Sequence, residues 1–132
     1  MTREEKHVKN LICLDKWMSN IEEGKQISDY LRKFQIQRVG IYGYGILGRH
    51  LVRELQGFSV RWVMDRSALG DDIYSNVVRP DDADKQEDVD MAIIAAVSDV
   101  EEVETLLLKF VTGTIISVEE LIDSVCVWGN QS

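Results

Sequence analysis

The sequence predicts an α/β domain, three layers deep, with a mostly parallel sheet and two helices ahead of it. Three observations carry this. A short apolar run from Val39 to Tyr42 ends on glycine, a stretch from Ile46 to Gln56 carries Leu47, Leu51 and Leu55 at four-residue steps, and a second apolar run from Val60 to Met64 finishes at Asp65. Strand, tight turn, helix and strand in that order make a β-α-β unit, for which a right-handed parallel crossover is expected. The turn reads Gly43-Tyr44-Gly45-Ile46-Leu47-Gly48, which makes the unit Rossmann-like.

The remaining elements follow from spacing. From about Glu4 to Glu23, Val8, Leu11, Ile12, Leu14, Trp17, Met18 and Ile21 recur at helical intervals, and Gly24 is a natural stop. Ile27, Tyr30, Leu31 and Phe34 share one face of a second helix. Residues 1–35 read as a helical extension and 36–132 as the Rossmann-like part of one structural domain. Between Arg66 and Asp90 periodicity fades, apart from a short strand around Ile73 to Val78. Asp81, Asp82, Asp84, Glu87, Asp88 and Asp90 there predict a solvated connection. Val89 to Val97 reads as a strand buried on both faces, as in the middle of a parallel sheet. Ser98 with Glu101 fits a capping box, opening a helix whose Val103, Leu106, Leu107 and Phe110 face the sheet. A last strand over Thr114 to Val118 precedes a second such box, Ser117 with Glu120, and a short helix through Leu121 and Ile122 leads into a tail with Trp128.

Composition narrows the function. With 132 residues, 45% hydrophobic and 29% charged, and Pro80 the single proline, one globular core is expected. A net charge of −8 opposes non-specific attraction to nucleic acid or an anionic membrane. Cys13 and Cys126 lack zinc-site spacing and read as reduced thiols. The charged start, Met1 to Lys6, has no signal-peptide run and no stretch reaches membrane-spanning length, so a cytoplasmic protein without membrane insertion is expected. His7 lies near a terminus expected to be mobile and His50 within a helix, neither with a visible partner. The acidic stretch lacks EF-hand spacing and its glycine. No catalytic set is visible, so the chain is not expected to act as an enzyme on its own.

The glycine turn points to a phosphate. Gly43 would allow the tight turn, Gly45 would let a diphosphate approach the backbone, and Gly48 would let the helix pack close to the strand. The helix N-terminus, with Tyr44, Ile46 and Leu47 completing the turn, would face the anion. Asp65, 22 residues after Gly43, would accept hydrogen bonds from ribose hydroxyls. Arg66 beside it would accommodate a 2′-phosphate that Asp65 would repel, which favours NAD over NADP. Ser98, where the central strand ends, lies at the edge of the expected crevice. A methyltransferase turn would need glycine where Leu47 stands. The alternative is that the glycines serve packing alone and Asp65 is a solvated loop residue.

The stretch from about Arg38 to Leu121, with VGIYGYGILGRHL, VRWVMDRSA and VDMAIIAAVSD, resembles the Rossmann-like N-terminal domain of bacterial nucleotide-sugar acyltransferases of the sialic-acid-acetyltransferase type. It also resembles small stand-alone domains of polysaccharide biosynthesis. The resemblance implies that Gly43, Gly45, Gly48 and Asp65 help to hold a nucleotide sugar. Those transferases do their chemistry on a following left-handed β-helix of hexapeptide repeats, which the residues after Leu121 do not supply. The expectation is therefore a non-catalytic nucleotide or nucleotide-sugar binding module with NAD(H) or a UDP-sugar as ligand, homo-oligomeric, acting with a polysaccharide-biosynthesis enzyme. One alternative is an NAD-dependent oxidoreductase or its cofactor-binding subunit, and another a degenerate Rossmann assembly domain without ligand. Leu11, Leu14, Met18 and Ile21 follow a 3-4-3 step, open to packing on the domain or to a dimer seam.

Overall fold

The computed structural model describes residues 1–131. In chain order the elements are α1 (Arg3–Glu22), α2 (Ile27–Lys33), β1 (Arg38–Tyr42), α3 (Ile46–Glu54), β2 (Ser59–Met64), β3 (Val77–Val78), a 3₁₀ turn (Pro80–Lys85), β4 (Met91–Ile94), α4 (Val100–Leu107), β5 (Thr114–Ser117) and α5 (Val118–Gln131). The five strands form one sheet in the order β3-β2-β1-β4-β5, and every neighbouring pair is parallel. The expected α/β Rossmann-like architecture is the one observed.

Strand alternation divides the core into two layers. Val39, Ile41, Val63, Met91 and Ile93 face a layer built by Cys13 and Trp17 of α1, Ile27 and Leu31 of α2, Leu47 and Leu51 of α3, and Val118, Leu121, Ile122 and Val125 of α5. Tyr42, Trp62, Met64, Ala92 and Ile94 face the other way, toward Val103 and Leu107 of α4, Val111 and the 3₁₀ residue Ala83. Four helices thus cover one side of the sheet and one helix the other. Trp62 makes up the difference. It is 1% exposed, its indole lies where a Cβ on Gly40 would stand, and its Nε1–H donates to the Glu87 carbonyl at 3.1 Å.

The N-terminal helices are tied into the same core. Thr2 Oγ1 accepts the Glu5 N–H at 3.1 Å and Glu5 reaches back to the Thr2 N–H, a capping box that starts α1 at Arg3. His7 therefore sits inside a capped helix, and the expected loose terminus is corrected. Asn20 Nδ2 donates to the Ile122 carbonyl at 3.0 Å. Glu54 of α3 accepts the Trp17 indole N–H on one oxygen and the Ile27 N–H, at 3.0 Å, on the other, so one carboxylate joins α1, α2 and α3. Burial pushes its pKa up from the usual range, against both hydrogen bonds.

Three expectations change in detail. The strand around Ile73 to Val78 shrinks to Val77–Val78, because Asp71 Oδ1 accepts the N–H groups of Ile73 and Tyr74 at 2.9 and 3.0 Å and bends the chain before it. The box at Ser98 does not form. Asp99, in the left-handed region with φ 59°, is the residue that precedes α4, and it places Ser98 one position too far out to cap. Ser117 does cap, accepting the Glu120 N–H at 3.2 Å. The short last helix and tail are one 14-residue helix, held at its end by Trp128, whose ring packs edge-on to Tyr30 at 5.8 Å.

The acidic connection is not wholly solvated either. Asp90 Oδ2 accepts the N–H groups of Gln37 and Arg38 at 3.1 and 2.9 Å, and Asp88 accepts those of Val89 and Thr112 at 2.8 and 2.9 Å, along with the Thr112 hydroxyl. Two carboxylates thus tie together the amino ends of β1 and β4 and the approach to β5. These bonds, led by the Arg38 N–H for Asp90 and the Thr112 hydroxyl for Asp88, hold both below the usual range. A lowered folded-state pKa makes the unfolded chain the better proton acceptor. The contribution is therefore complete above the unfolded value of about 3.9 and is lost as pH falls through the folded one. We expect the thermal midpoint to fall steeply below about pH 4 and Asp90→Asn to flatten that fall while lowering the midpoint at neutral pH. A scan of midpoint against pH checks both, and parallel curves for the two proteins would show that Asp90 does not supply the slope.

Candidate functional site

The order β3-β2-β1-β4-β5 reverses direction between β1 and β4, and the crevice outside the carboxyl ends of those two strands is where open α/β sheets bind ligands. The glycine turn lies there. Gly43 has φ 104°, and a Cβ on it would stand 2.7 Å from the Ala95 carbonyl oxygen. Its N–H donates to the Met64 carbonyl, and the Ala95 N–H to the Tyr42 carbonyl, each at 2.7 Å. A Cβ on Gly48 would collide with the Gly43 carbonyl, so α3 sits directly on the turn. Gly45 differs from both. It precedes α3 with extended dihedrals, no side chain caps the helix, and a Cβ there would meet nothing within 4 Å. The backbone at the helix N-terminus is open to solvent, with first-turn N–H groups that have no intrahelical acceptor.

Asp65, at the end of β2, braces the turn. Its Oδ2 accepts the Tyr44 N–H at 2.7 Å, and its Oδ1 accepts the N–H and hydroxyl of Ser67 at 2.9 and 2.8 Å. Burial would raise this carboxyl, but the three hydrogen bonds outweigh it and Asp65 lies below the usual range. Tyr44 is buried by its side chain, which donates its hydroxyl to Asp71, and burial followed by that bond pushes the phenol up to about 12. The loop after β2 is thereby fastened to the glycine turn at two points.

A groove of about 150 Å³ opens beside the turn, lined by Tyr42, Gly43, Asp65, Arg66, Ala96, Ser98, Asp99 and Val103. Ligand pockets commonly run to about 300–1,000 Å³. This one has room for only a small fragment of such a ligand. Of the residues singled out from sequence, Gly43, Asp65, Arg66 and Ser98 share this groove. Gly45 and Ile46 stand exposed at the head of α3, whereas Leu47 is 2% exposed in the core and, with Tyr44 and Gly48, shapes the turn from behind. Tyr42, Ala96, Asp99 and Val103 were not anticipated. The strand-end positions could have been found from the rule that the crevice gathers the residues following β1 and β4, but nothing in the sequence marks Asp99 as left-handed.

Chemically the arrangement offers backbone donors for an anion, a carboxylate for hydroxyls and one guanidinium. His50 is exposed on α3 and lies edge-on to Trp17 at 6.3 Å. Cys13 is buried, with desolvation pushing its thiol up to about 11. Among the described residues no cluster of His, Cys, Asp and Glu is arranged to hold a metal ion, and no helix is long and apolar enough to cross a membrane. The fold and the crevice define an α/β domain of Rossmann-like strand order. No family model, characterised protein or solved structure matches the chain.

Proposed function

We propose that this chain is a nucleotide or nucleotide-sugar binding module, non-catalytic alone and homo-oligomeric, that serves a partner enzyme of bacterial cell-surface polysaccharide synthesis in the cytoplasm. The observation that carries the binding part is the uncovered backbone at Gly45, set at the head of α3 at the point where the strand order reverses. The turn is braced by its own close contacts at Gly43 and Gly48 and by the Asp65 hydrogen bond, so little ordering cost would fall on binding. The pathway part rests on the resemblance of residues 38–121 to the acyltransferase domain.

The experiment is thermal unfolding against NAD, NADH, NADP, UDP-sugars, CoA and S-adenosylmethionine. A ligand at a hundredfold excess over its dissociation constant adds about 2.7 kcal/mol, a rise of several degrees. A shift with UDP-sugars supports the module, and one with NAD(H) alone favours an oxidoreductase subunit. Gly45→Val is the control. A Cβ meets no neighbour there, so folding should lose only about 1 kcal/mol from the poorer cap, while the ligand-induced shift disappears. A shift that survives Gly45→Val would place the ligand elsewhere.

A further inference from the structure

Helix α1 packs on the domain through Cys13, Trp17 and Asn20, spaced i, i+4, i+7, and leaves most of its other apolar residues in solvent. Leu11 is 67% exposed, Met18 56% and Ile21 39%. These three with half-buried Leu14 form the 3-4-3 stripe, about 15 Å of helix from Leu11 to Ile21 carrying a seam of coiled-coil type beside its docked face. A groove of about 450 Å³ runs between this stripe and α3, with Leu14, Trp17, Met18 and Ile21 on one side and His50, Arg53 and Glu54 on the other. An isolated seam of two heptads is too short to pair in water. Here the helix is already folded against its own domain, so pairing need not supply the ordering of the backbone.

Charge selects the occupant and its direction. With Leu11 and Met18 in the first core position of the heptad, Asp15 and Glu22 fall on the edge of the stripe away from α3. Arg49, His50 and Arg53 form an exposed basic face on α3, in a chain whose net charge is −8. Among the described residues Asp15, Glu22 and Arg53 have no ion-pair partner within the chain. An antiparallel copy would bring the two acidic edges together. A parallel copy brings the acidic edge of each helix against the α3 side of the other.

We propose that two copies of this chain associate through α1 as a parallel helix pair, each Glu22 reaching the Arg53 and His50 rim of the other copy. The interface rests on the homo-oligomeric part of the reading above and is independent of its ligand. The two-fold axis runs along the helices and sets the sheets on opposite sides.

The test is sedimentation of the full chain over a range of concentrations, with circular dichroism to check folding and the ligand panel repeated on each variant. The wild type should dimerise. Leu11→Glu with Met18→Glu, both in exposed positions, should give a folded monomer that keeps any ligand-induced shift, so failure of the interface and failure of the nucleotide reading are told apart. Arg53→Glu should weaken association roughly tenfold, and adding Glu22→Arg should restore it. In a Cys126→Ser background, Leu11→Cys should form a disulfide with its own counterpart on oxidation, which an antiparallel pair would prevent. A wild type that stays monomeric, a dimer indifferent to the Leu11 and Met18 changes, or absence of the Leu11→Cys cross-link would each overturn the proposal.

Discussion

Trp62→Ala is expected to cost about 3–5 kcal/mol of folding stability, the range for emptying a large aromatic site, which for a chain of this length lowers the thermal midpoint by roughly 10–18 °C. The reason lies in the imbalance of the layers. The sheet face that carries Tyr42, Trp62, Met64, Ala92 and Ile94 has one helix, α4, over it, with Val89, the Phe110–Val111 segment and the 3₁₀ turn beside that helix. Trp62 fills what a second helix would fill. Its indole covers the Gly40 backbone and packs against Phe110 at 5.6 Å between centroids. Its removal opens the centre of that layer and leaves the Glu87 carbonyl without its donor. Trp62→Phe keeps most of the apolar contact and loses the donor, so about 1–3 kcal/mol is expected. Urea unfolding of the two variants separates packing from hydrogen bonding. A cost below about 1 kcal/mol for Trp62→Ala would mean that neighbouring residues collapse into the space, and that the layer does not depend on the indole.

Local periodicity explains why so much of the fold was legible. Four-residue steps in α3, the runs of β1 and β2, and the continuous apolar stretch around β4 each reflect burial against neighbours within one element. Gly43 and Gly48 were legible for the same reason, since their roles are set by a turn of a few residues. What escaped depends on partners far along the chain. Asp88 and Asp90 look like loop residues until β1 and Thr112 are brought beside them, and Asp65 looks free for a ribose until the Tyr44 N–H is seen on one oxygen and Ser67 on the other. Trp62 reads as one more strand residue, and nothing local says that Gly40 is its floor. The α1 stripe shows the same limit in reverse. Its apolar residues circle much of the helix, and only docking through Cys13, Trp17 and Asn20 decides which are left over.

The glycine turn yields the second large effect, and comparison of two positions three residues apart gives it meaning. Gly48→Ala should cost about 3 kcal/mol, the upper end for overpacking, because the obstruction is main chain. The new Cβ would collide with the Gly43 carbonyl oxygen and lie 2.8 Å from its carbon. That carbonyl cannot easily retreat. Gly43 is held by its own N–H to Met64, Tyr44 by Asp65, and the adjoining strand by the Ala95 N–H to Tyr42. Relief would require α3 to move off the sheet, exposing Leu47 and Leu51, which are now 2% and 0% exposed. Gly45→Ala meets no atom within 4 Å and should leave the urea midpoint nearly unchanged. Ligand binding should therefore be weakened together with a large loss of stability in Gly48→Ala, and lost with only a small one in Gly45→Val. If Gly48→Ala unfolds at the wild-type urea concentration, the turn is not fixed by packing, and the open backbone at Gly45 could no longer be treated as a preformed site.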